Sequence, residues 1–168
     1  MTILCRTCEE EQAGNPLECV EMLAVSRDWP LVRTGEDEAQ MVISAPTVEL
    51  QLTVHWRDDT ESLYVACMFD LRVPHPRASE VSRLVRMINE RLLMGHFDFW
   101  RRDGLVLYRN GLLLSGGARA TEAQCESLIT LAVEACERYF PAFQFVIWAG
   151  RTAEEALAAC LFETAGEA

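Results

Sequence analysis

The chain contains no lysine; all fifteen of its basic residues are arginine. Its formal net charge is −11 over 168 residues, which opposes nonspecific attraction to nucleic acid or to anionic lipid. No apolar run approaches the ~18 residues of a membrane-spanning helix. Without lysine there is no phosphate-binding loop of the G-x-x-x-x-G-K-[ST] type, and neither G-x-G-x-x-G nor G-x-S-x-G occurs. Proline and glycine are sparse, at six and nine residues, so low-complexity linkers are excluded. Half of the residues are hydrophobic, too many for intrinsic disorder. A chain of this length buries roughly 70% of its unfolded surface, enough for a core without metal or disulfide support.

The N-terminus lacks a basic start, a long apolar core and a small-residue cleavage site, so no secretion signal is read there and a cytoplasmic location is expected. Seven cysteines, an odd and scattered set, do not form a disulfide framework. Cys19, Cys67, Cys125 and Cys136 fall in apolar-periodic segments and read as reduced core thiols. Cys5 and Cys8 make a C-x-x-C pair, but no second ligand pair accompanies them, so no metal site and no cofactor are expected. Residues 1–14 read as a flexible tail, and residues 15–168 as a single domain.

Asn15-Pro16-Leu17-Glu18 is a helix start, with Leu17, Val20, Leu23 and Ala24 as its apolar stripe. Short strands are expected over 31–34 and 38–44. Val48, Leu50, Leu52, Val54 and Trp56 then alternate with polar residues, and Leu63, Val65, Cys67, Phe69 and Leu71 alternate on the return. A second helix carries Val81, Leu84, Val85, Ile88 and Leu92 and is expected to end at Gly95. A hairpin follows over 96–101 and 105–114, in which Asn110-Gly111 suggests a bulge or early turn. Thr121-Glu122-Ala123-Gln124 caps a third helix, which Pro141 is expected to break or kink. Phe143–Ala149 reads equally as a buried helix or a buried strand, and Thr152 opens a last helix. The fold class is therefore α+β: an antiparallel sheet with helices packed on one face or at the ends.

His55, His75 and His96 are far apart in sequence and read as surface or turn residues. The acidic turns at Glu36-Asp37-Glu38 and Asp58-Asp59 read as solvated charge rather than as acid–base pairs. Charge is segregated along the chain: residues 1–49 and 121–168 are acidic, whereas 50–120 hold ten arginines against eight acids. Arg83, Arg86 and Arg91 are the candidate anion or polar contacts, set against a solvated helix face with pairs such as Arg86–Glu90. Phe97, Phe99, Trp100, Phe143, Phe145 and Trp148 are candidates for a two-sided core or for a subunit interface. If acidic ends of one copy meet the Arg-bearing middle of another, dimerisation weakens with salt.

Three strings carry a resemblance: VRMINERLLMGHFDFW (Val85–Trp100), CERYFPAFQFVIWAG (Cys136–Gly150) and EEALAA (Glu154–Ala159). Together they are similar to the signature of the YbjN-like bacterial family, described as sensory transduction regulators. The resemblance implies a fold like that of type III secretion chaperones, which are small, acidic, usually dimeric proteins that bind client polypeptides. It therefore implies a non-enzymatic, chaperone-like protein-binding or regulatory module, acting as a homodimer on a partner protein, with no nucleic acid and no membrane. A small-molecule or anion sensor using the Arg-rich central helix is the alternative.

Overall fold

A computed structural model describes residues 14–165. The Cys5/Cys8 pair and the expected N-terminal tail lie outside the described residues. Six strands form one antiparallel sheet in the order β1-β2-β3-β4-β6-β5. They are β1 (Leu31–Arg33), β2 (Glu38–Ser44), β3 (Glu49–Arg57), β4 (Ser62–Arg72), β5 (His96–Trp100) and β6 (Leu105–Leu113). Four helices lie on one side of the sheet: α1 (Leu17–Ser26), α2 (Ala78–Asn89), α3 (Glu122–Ile147) and α4 (Ala153–Ala165). Helix α3 lies across β4 and β6, α2 runs beside β5, and α4 packs on α2 and α3.

The local causes are those expected of the residue types. The Asn15 side chain accepts the Leu17 N–H at 2.9 Å, and Leu17, Val20, Leu23 and Ala24 are all buried. Full burial of each large residue in that stripe contributes roughly 1.5–3 kcal/mol. Leu50, Leu52 and Val54 on β3, and Leu63, Val65, Cys67, Phe69 and Leu71 on β4, turn inward toward the helices. Thr121 and Gln124 form a reciprocal capping box at the start of α3. At α4, Thr152 and Glu155 likewise exchange side-chain-to-backbone bonds.

Three expectations fail locally. Helix α2 ends at Asn89 rather than at Gly95, because the Asn89 amide donates to the Phe97 carbonyl and accepts the Phe97 N–H. That pair of bonds occupies backbone groups on the free edge of β5, which are otherwise open to another strand. Asn110 and Gly111 sit in regular register opposite Val65 and Tyr64; the irregularity falls between Met68 and Arg72 on β4 instead. Helix α3 runs unbroken through Pro141 for 26 residues, about 39 Å at 1.5 Å per residue. Phe143–Ile147 is therefore helical, and the proline is carried by burial of Tyr139, Phe140, Ala142 and Phe143 around it. A proline inside a helix costs ~3 kcal/mol, whereas each buried Phe contributes roughly 1.5–3 kcal/mol. Pro141→Ala restores a hydrogen-bonding N–H and is expected to raise unfolding stability by about 2 kcal/mol, after allowing for the freer unfolded chain. Urea unfolding measures this; a fall in stability means that the packing at residue 141 requires the proline ring.

Cys67, Cys125, Cys136 and Cys160 are buried, and Cys19 is half-buried. Burial pushes the Cys125 thiol up to about 12, with a hydrogen bond to Cys19 adding to it, and raises Cys136 as well. Such thiols stay protonated and inert as nucleophiles.

Candidate interaction surfaces

The six aromatic candidates divide by depth. Phe97 and Phe143 are in the core, with ring centroids 5.5 Å apart, and Phe97 also packs edge-on to Tyr108 and Tyr139. Phe99 and Phe145 are half-buried, and the Arg151 guanidinium stands 5.1 Å over the Phe145 ring. Trp100 and Trp148 are 46% and 67% exposed. Strand alternation explains the split on β5: Phe97 and Phe99 face the helices, whereas Asp98 and Trp100 face the other way.

Among the described residues no helix packs on that other face of the sheet. On it the Trp100 indole N–H donates to Asp98 Oδ2 at 3.0 Å, and Arg109 pairs with the same carboxylate at 3.4 Å. Next to these, Leu107 on β6 lies in register with Met68 and Asp98. Further along, the Tyr64 and His55 rings stack at 4.7 Å. Gly111 sits opposite Tyr64 and adds no side chain beside the stack. Val42 and Leu113 complete this face at 41% and 74% exposure. Glu38 pairs with His55 there, and a hydrogen bond from Thr34 holds its carboxyl below the usual range.

The arginine candidates do not converge. Arg83 is bound to Glu154 of α4, and Arg86 is exposed on α2. The neighbouring Arg77 donates to the carbonyls of Val146 and Arg151, both at 2.7 Å, and so closes the end of α3. Arg91, just beyond α2, donates to the Met87 carbonyl and borders two adjoining recesses of ≈ 1180 and ≈ 390 Å³. Neither Arg83 nor Arg86 lines either recess.

The larger recess is bounded by the turn after α2, the middle of α3 and the end of α4. Its rim projects apolar side chains into water: Leu93 is 96% exposed, Phe162 79% and Met94 51%. The turn that carries Leu93 and Met94 is fixed from below. The Tyr108 hydroxyl donates to the Met94 carbonyl at 2.9 Å, and burial pushes that phenol up to about 12, so it remains a donor. Leu93, Met94 and Phe162 were not among the residues singled out from sequence, because each continues an apolar run that reads as core. Among the described residues no group of His, Cys, Asp and Glu is placed to hold a metal ion, and no helix is long and apolar enough to cross a membrane.

A family model described as "YbjN: Putative bacterial sensory transduction regulator" matches residues 16–145. No curated protein matches the chain. Among solved structures, a chain of the ExsC–ExsE complex superposes with a TM-score of 0.57 at 16% identity, covering 76% of this chain and 92% of that one. YbjN from E. coli superposes with a TM-score of 0.52 at 10% identity, covering 71% of this chain and 84% of that one. At these identities the likeness shows a shared α+β fold.

Proposed function

The chain belongs to the YbjN family, and on that premise we propose that it is a non-enzymatic regulatory module of the cytoplasm. In this reading it works as a homodimer and holds a partner polypeptide against its open sheet face. The observation that carries the reading is the one-sided cover of the sheet: four helices bury one face, while the other presents Trp100, Leu113 and Val42 beside the half-buried Tyr64 and Met68. Exposed apolar residues grouped on a regular surface mark interaction sites, and tryptophan is enriched at the energetic centres of such contacts. A protein of the same fold in the ExsC–ExsE complex supports a protein-binding role.

The test is affinity capture from the native cell with the wild-type chain and with Trp100→Ala/Leu113→Asp. Both positions are exposed, so folding is expected to be unchanged to within ~0.5 kcal/mol. A protein recovered reproducibly by the wild type is expected to be lost by the variant, since truncating a central aromatic contact costs ≥ ~2 kcal/mol, about thirtyfold in affinity. A partner that the variant retains, or no reproducible partner, overturns the reading.

A further inference from the structure

We propose that the recess between the turn after α2, α3 and α4 is the surface on which a second copy of this chain docks, around a two-fold axis. The inference rests on the homodimer in the reading above and assigns it a place, distinct from the sheet face given to the partner polypeptide.

The first argument is shape. A two-fold interface joins one patch to itself, so the patch must contain both the projection and the hollow that receives it. This one does. Leu93 and Met94 stand out of the turn at 96% and 51% exposure, and Phe162 stands out of α4 at 79%. The recess of ≈ 1180 Å³ opens between them, with Leu92, Leu131 and Pro141 on its walls. The projection is rigid, because Tyr108 anchors the Met94 carbonyl and Gly95 turns the chain at φ +67°. A rigid apolar knob loses little freedom on docking.

The second argument is charge. Arg91, Arg138, Glu134 and Glu137 all line the recess. None of the ion pairs among the described residues includes any of the four. Glu134 and Arg138 have the i, i+4 spacing of a helical ion pair, yet they form none. Two positive and two negative groups on one rim, none of them in an ion pair among the described residues, are neutral as a set and complementary to a second copy of the same set. A surface for an acidic or a basic partner carries one sign in excess.

The experiment uses the full chain and two rim variants, Arg91→Glu/Arg138→Glu and Glu134→Arg/Glu137→Arg, with mass determined by light scattering at micromolar concentration. Each variant alone sets like charges against each other and is expected to dimerise about a hundredfold more weakly than wild type. Mixed in equal amounts, the two are expected to recover a dimer containing one chain of each. Leu93→Asp, on a fully exposed side chain, is expected to be monomeric whether alone or mixed. Circular dichroism checks that all three variants are folded. Variants that remain dimeric alone place the two-fold axis elsewhere and leave the homodimer reading standing. Failure of the mixture to recover the dimer overturns the charge pairing. A wild-type chain that is monomeric throughout overturns the homodimer itself.

Discussion

Gly95→Ala is expected to lower the unfolding stability by about 3–5 kcal/mol, the range reserved for mutations that break a specific packed arrangement. Gly95 has φ +67°, where a side chain is strained before any contact is counted. A Cβ there falls 2.1 Å from the Tyr108 hydroxyl oxygen, 2.4 Å from its ring carbon and 2.8 Å from the Arg109 carbonyl oxygen. The hydroxyl has nowhere to retreat, since Tyr108 is 1% exposed. Displacing it breaks the bond to Met94, and a buried polar group without a partner costs ~1–3 kcal/mol. Tyr108→Phe removes the closest of the three contacts but leaves the ring carbon and the Arg109 carbonyl. The double variant is therefore expected to be more stable than the sum of the single losses, without reaching wild type. Urea unfolding of the four proteins measures the coupling, and a Gly95→Ala loss below ~1 kcal/mol would mean that the turn re-forms freely. Because this turn holds Leu93 and Met94, the same variant is expected to self-associate less well under conditions in which it is folded.

Gly95 also marks the limit of what pattern reading reaches. As the end of a helix it was placed six residues too late, because Leu92 continues the apolar spacing of α2 and nothing local announces that Asn89 bonds to Phe97 instead. Alternation in β3 and β4 was legible, since a half-wet sheet demands it of every residue. Capping at Thr121 and Thr152 was legible because both bonds of a capping box are local. Of the break or kink expected at Pro141 the break does not occur, because the forces that carry the proline are tertiary: Phe140 and Phe143 find their partners on β4 and β5. The two proposed docking faces are legible only in part. Trp100 was identified as an aromatic candidate, and β5 alternation sends it to the open face. Leu93 and Phe162 were invisible, since Leu92-Leu93-Met94 and Leu161-Phe162 read as core until the packing shows which member of each run has no neighbour. Charge was similar. The middle of the chain is rich in arginine, but Arg77 and Arg83 are engaged with α3 and α4 of the same chain. Only folding shows which arginines are left over.

Phe143→Ala is expected to cost about 3–5 kcal/mol, the usual range for a buried Phe. Its ring is fully buried and sits 5.5 Å from both Phe69 and Phe97, so it joins α3 to β4 and β5 at one point. A domain with ~5–15 kcal/mol of total stability loses a large share of it through that single truncation. Trp148→Ala, at the residue just past the end of the same helix, removes a larger ring that is 67% exposed, and is expected to change stability by no more than ~0.5 kcal/mol. Thermal and urea unfolding compare the two directly. The pair also separates packing from binding. Phe143→Ala weakens partner capture only by depleting the folded population, so added osmolyte restores it. Trp100→Ala removes a contact from a folded protein, and no such condition restores it. If Phe143→Ala leaves the unfolding midpoint unchanged, the aromatic cluster does not hold the helices to the sheet. If Trp100→Ala lowers the midpoint as far as Phe143→Ala does, the open face is part of the folding core and cannot serve as a free docking surface.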